Sequence, residues 1–137
     1  MGKLSLTAGL CALVVSVTAS AHGLMPSRLA APSGSPVIGY TLTAINFYDN
    51  VAEFRISCYR ESFSNPVECR ASPKQFRLLP RGSRKVNFRL NTNGVDGLYL
   101  VCSEFIPPPS QSSVVTRVCV RFGVGDVDLE AWDGGRP

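Results

Sequence analysis

Apolar and polar positions alternate with a period of two along most of the chain from residue 22 onward, and clusters of Gly, Pro, Asn and Ser cut the alternation at short intervals. This is the signature of half-buried strands joined by tight turns, and no segment there reads as a helix. In "PVIGYTLTAINFY" (36–48), Ile38, Tyr40, Leu42 and Ala44 alternate with Val37, Gly39, Thr41 and Thr43. "VAEFRISCY" (51–59) sets Ala52, Phe54, Ile56 and Cys58 on one face and Glu53, Arg55 and Ser57 on the other. The connecting "DN" suits a tight turn. "VECRASPKQFRLLP" (67–80) is a poorer strand broken near Pro73, and a proline there predicts an edge or a change of sheet. "RGSRKVNFRL" alternates Val86, Phe88 and Leu90 with Lys85, Asn87 and Arg89 after a Pro80-Arg81-Gly82 turn. Two further strands flank the loop "FIPPPSQSS", and "GLMPSRLAAP" supplies an irregular first one. About seven strands in this arrangement predict an all-β fold, an antiparallel sandwich of immunoglobulin type in one domain.

The ends change the picture. Lys3, the apolar run 4–17 and Ala19-Ser20-Ala21 form the pattern of an export signal cleaved after Ala21, so residues 1–21 are expected to be a leader and 22–125 the domain. The run holds Ser5, Thr7 and Ser16 and is shorter than the ~20 residues a spanning helix needs. Residues 126–137 carry few apolar side chains and are expected to form a flexible tail, or to dock through Trp132. The chain has a formal charge of +4, and loss of Lys3 with the leader brings the domain to about +3. With the arginines scattered in sequence, that field is too weak to argue for nucleic acid.

Cys58, Cys69, Cys102 and Cys119 follow the leader, an even number in an exported chain, which points to two disulfides. Their spacings of eleven, thirty-three and seventeen lack the close pairs of a zinc site. A turn signal lies near the centre of each of 58–69 and 102–119, as expected for cysteines facing each other across hairpins, so Cys58–Cys69 and Cys102–Cys119 are favoured. Cys58–Cys102 with Cys69–Cys119, across neighbouring strands of a sandwich, is the rival.

The order "MPSRL", "YTLTAINFYDNVAEFRI", "FRLLPRGSRKVNFRL", "GLYLVCSEFIPPP" and "VVTRVCVRFGV" resembles the N-terminal immunoglobulin-like domain of the PapD-like periplasmic pilus chaperones of the usher pathway. Leu79-Pro80-Arg81-Gly82 is similar to the family's Leu-x-Pro-Gly turn, and Leu98-Tyr99 running to Glu104-Phe105-Ile106-Pro107-Pro108 to its strand ending in Glu-Ile-Pro-Pro. The resemblance covers residues 24 to 124. It implies a periplasmic chaperone whose last strand completes the sheet of an exported pilus or fimbrial subunit, with an usher as a further partner. Main-chain bonds would supply affinity and alternate side chains would fill the partner's groove. The implied donor face is Val114, Thr116, Val118 and Val120; periodicity equally allows these residues to fill the chain's own core. The implied anchor for the subunit's terminal carboxylate is Arg28 with Arg121, or with Arg117 in another register. The family is not usually cross-linked within its last hairpin, and its members carry a second sandwich domain.

Three other functions are weighed. One His, no recognisable pair of carboxylates and no nucleophile elbow argue against an enzyme. Cleavage after Ala21 would give His22 a free amine beside its imidazole, a Cu(II)-binding pair, although the chain holds no second His to complete a site. A disulfide-stapled secreted structural or adhesive subunit is the third. No cofactor is implied by any motif.

Overall fold

The computed structural model describes residues 22–109 and 116–130. Ten strands form two packed sheets: β1 His22–Met25, β2 Arg28–Ala31, β3 Val37–Asn46, β4 Ala52–Arg60, β5 Pro66–Val67, β6 Cys69–Ser72, β7 Gln75–Leu78, β8 Ser83–Asn91, β9 Gly97–Ile106 and β10 Arg117–Val124. The four-stranded sheet runs β1-β3-β8-β6; the six-stranded sheet runs β2-β10-β9-β4-β5, with β7 also on β4. The sandwich expected from the alternation is present, with more strands because the first expected segment is divided once and the 67–80 segment twice, at Glu68 and at Pro73. The first segment crosses from one sheet to the other at Pro26, giving β1 and β2. Pro73 does the same between β6 and β7, as its position in a poor strand had suggested. One pair departs from the antiparallel expectation: β2 lies parallel to β10.

The alternating faces close on one core. Leu42, Phe54, Ile56, Val86, Phe88, Leu90, Val101 and Val120 are buried together between the sheets, each worth about 1.5–3 kcal/mol of transfer free energy. Asn46 is fully buried among them, and its amide donates to the carbonyls of Asn50, Leu78 and Leu79 while its Oδ1 accepts from the Tyr48 N–H. One side chain thus ties the turn after β3 to the turn before β8.

Both favoured disulfides are present, but only one has the expected setting. Cys102 and Cys119 are directly opposed in β9 and β10, with Cα atoms 4.0 Å apart. Cys58 faces Val67, not Cys69, across its hairpin; the chain then crosses to the other sheet, so Cys58–Cys69 joins β4 to β6 between the sheets, over 6.1 Å between Cα atoms.

Charge is also distributed unlike the sequence order suggests. Strands β1, β3, β6 and β8 carry Arg70, Arg84, Lys85 and Arg89 and no acidic residue, and Arg70 stands directly opposite Arg89. What sets this sheet apart is the absence of acids from its strands, for the six-stranded sheet carries six arginines beside Glu53 and Glu104.

Candidate functional site

The last strand offers an open edge. One side of β10 pairs with β9 along its whole length, and the Phe105 N–H extends the ladder to the Thr116 carbonyl at 3.0 Å. On its other side β2 covers only 121–124, with Arg121 N–H donating to Ser27 O and Gly125 N–H to Ala31 O at either end. The reason lies in the crossover at Pro26: the chain reaches this sheet only at Arg28, opposite Arg121. Among the described residues no strand pairs with the outer edge of 117–120, so its main chain can accept another strand.

The inward face of β10 is Val118, Val120, Phe122 and Val124. Val120 has no exposed surface and belongs to the chain's own core, so it cannot also fill a partner's groove without emptying that core. Val118 is only half-buried, packed against the edge of the core, and Thr116 is half-buried beyond it. Val114 lies outside the described residues. The open choice between core and partner thus resolves by position along the strand, for Val120 in favour of the core.

Two of the three expected cations meet. Arg28 and Arg121 are register neighbours on the outer face of β2 and β10. Arg28 forms an ion pair with Glu130, and Arg121 donates to the Leu129 carbonyl at 2.7 Å. Arg117 is committed elsewhere: it donates to Glu104 at 2.9 Å and lies over the rings of Phe63 and Tyr59, 5.0 and 5.7 Å from their centroids. That engagement removes it from the anchor.

Glu104 is the functional-looking residue that sequence reasoning missed. It stands on the outer face of β9, yet its side chain is 4% exposed. Burial would push its carboxyl up, but hydrogen bonds from Ser57, Tyr59, Arg55 and Arg117 outweigh that and bring it down to about 2. Ser57 donates at 2.5 Å and Arg55 at 3.0 Å, and Tyr59 donates to the same oxygen as Ser57. The available signal was parity: Arg55, Ser57 and Tyr59 share one face of β4, and the antiparallel pairing with β9 sets Glu104 opposite Arg55.

His22 does not offer a coordination site at the surface. Its side chain is buried against Phe54, with ring centroids 5.1 Å apart, and Nε2 donates to the Ser103 carbonyl at 2.9 Å. The copper alternative paired this ring with a free amine at residue 22, and in the fold the packing of β1 encloses the ring. Among the described residues no group of three or more His, Cys, Asp or Glu is placed to hold a metal. Burial is the main influence lowering the His22 pKa from 6.5, so the folded state favours the neutral ring. Stability from this group is full above pH 6.5 and is lost as pH falls through the lowered folded value. Thermal melts of His22→Leu are expected to lose the pH dependence that the parent shows just below pH 6.5; an unchanged slope would refute this assignment.

Residues 126–130, expected to belong to a flexible tail, are docked. Val127 and Leu129 are half-buried against Tyr59, Leu98, Leu100 and the Cys102–Cys119 pair on the outer face of the six-stranded sheet. Trp132 lies outside the described residues.

No family model and no curated protein matches the chain in sequence. Its likeness is to solved structures. The E. coli chaperone DraB superposes with a TM-score of 0.59 at 24% identity, over 75% of this chain and 53% of DraB. A chain in the complex of the Salmonella enterica SafA pilin with the SafB chaperone gives 0.58 at 19% identity, over 76% and 53%. SSP-19, an MSP-domain protein of Caenorhabditis elegans, gives 0.55 at 18% identity, over 76% of this chain and 99% of that one. The chain therefore has the immunoglobulin-like fold of the PapD-like chaperone domain, and spans about half the length of the chaperone structures it matches.

Proposed function

We propose that this chain is a periplasmic chaperone-like binder of exported pilus or fimbrial subunits, which it holds by adding β10 to their incomplete sheet. The observation that carries the reading is the unpaired edge of 117–120, running directly into the neighbouring Arg28 and Arg121. An open strand edge supplies main-chain bonds, and two guanidinium groups at its end fit a carboxylate. The complexes of related fold support this choice of partner: one is named for a pilin with its chaperone, another for a chaperone with a tip adhesin. The side chains offered are Val118 and Thr116, with Val114 continuing the alternation in sequence, while Val120 stays in the core. Export follows from the leader pattern of residues 1–21, which lie outside the described residues; N-terminal sequencing of periplasmic protein should begin at His22.

The test is a periplasmic pull-down comparing the parent with Val118→Asp. The charged side chain at the open edge is expected to abolish capture of subunits, with near-UV circular dichroism confirming that the variant is folded. If the folded variant retains the same proteins as the parent, donation by this strand is wrong.

A further inference from the structure

The segment after β10 turns back and lies along the strand it has just left. Gly125 makes the reversal: its φ of +81° is in the left-handed region, and a Cβ there would stand 2.5 Å from the Asp96 carboxylate. Gly123 makes the seat. A Cβ on it would lie 3.0 Å from the Leu129 side chain and 3.4 Å from that of Val127, so its bare backbone leaves the space in which both settle. From there the Leu129 carbonyl reaches Arg121, the Glu130 carboxylate reaches Arg28, and Asp128 accepts from the Glu130 N–H at 3.0 Å to set the turn.

We propose that residues 127–130 are a built-in occupant of the Arg28–Arg121 surface, and that a partner segment ending in a carboxylate binds this face by displacing them. The proposal rests on the carboxylate role given above to the two arginines. Its chemistry makes displacement favourable. Among the described residues the tail meets Arg121 through the Leu129 carbonyl and Arg28 through one oxygen of an exposed carboxylate, whereas a terminal carboxylate has two charged oxygens to share between both guanidinium groups, and charge-assisted bonds are about twice as strong. Closure is also reversible, because the side chains of Arg28 and Glu130 are 46% and 66% exposed and water competes for the pair. The lid excludes weak ligands and covers the apolar strip of Leu98 and Leu100 until a better anion arrives.

Fluorescence anisotropy with a short labelled peptide of alternating valine and serine, ending in a free carboxylate, tests the proposal on the full chain. Because a competitor in cis lowers apparent affinity by the fraction of open molecules, Glu130→Gln and Leu129→Ser should each bind about five- to tenfold tighter than the parent. The gain should vanish with the amidated peptide and in the Arg28→Ala background. Equal affinity of parent and both variants overturns the internal occupant while leaving the carboxylate site standing. Absence of binding by the parent and by either variant overturns the site itself, and the occupant's function with it.

Discussion

Glu104→Gln is expected to lower the free energy of unfolding by about 2 to 3 kcal/mol, below the ~3–5 kcal/mol typical of breaking a fully buried ion pair, because Arg55 and Arg117 retain some contact with water. Glu104 is 4% exposed, and its side chain receives bonds from Ser57, Tyr59, Arg55 and Arg117. Glutamine fills the same space but takes away the charge that both arginines face, and it sets an NH2 group against donors. The carboxylate also gives stability a pH signature. Its folded value of about 2 lies below the ordinary 4.5, so the folded state holds this proton more weakly than the unfolded state. The contribution is full above pH 4.5 and is lost as pH falls through about 2. Denaturant titrations over that interval should show the parent losing stability where the glutamine variant does not. Parallel curves would mean that the four donors do not govern this carboxyl.

Replacing both Cys102 and Cys119 by serine is expected to cost about 3 kcal/mol, from the loop entropy that a cross-link over seventeen residues removes from the unfolded chain. In a domain of this size that corresponds to a melting temperature lowered by roughly 10 to 20 °C. The location of the bond predicts a second effect. Within β10, residues 121–124 are held by β2 and β9, while 117–120 are held by β9 alone and by the disulfide at Cys119. Hydrogen exchange in the double variant should therefore accelerate at 117–120 well before 121–124. Uniform acceleration along β10 would mean that the bond stabilises the sheet as a whole without steadying its open edge. The cross-link, which sets the chain apart from the pilus-chaperone pattern, leaves that edge uncovered: it fastens the opposite side.

The alternation along the chain was enough to read most of the sandwich, because burial on one face imposes a period of two wherever a strand is half-exposed. The faces of β4 and β8 follow directly from Phe54, Ile56, Val86 and Phe88. Both disulfides were legible for a different reason, the symmetry of turns between cysteines, although for Cys58–Cys69 that symmetry gave the right pair through the wrong geometry. Information that depends on which strands become neighbours was not legible. Val120 and Val118 share one face in sequence, yet only the position of β2 and of the opposing sheet separates the buried one from the one at the rim. Glu104 looked like part of a strand-ending motif until β4 was laid beside β9 and supplied three of its four donors. The tail looked solvated because Val127 and Leu129 are too few to form a core of their own; their seat exists only because Gly123 leaves it vacant.

Arg70, Lys85 and Arg89 share the outer face of the four-stranded sheet with no acidic residue on its strands, whereas the six-stranded sheet sets its arginines beside Glu53 and Glu104. Packed sheets stand about 10 Å apart, and the screening length at physiological ionic strength is about 8 Å. An anionic surface touching the four-stranded sheet therefore meets these three cations with little relief from acids on the far side. A protein docked through that face would keep its unpaired β10 edge, which belongs to the other sheet, available to a partner.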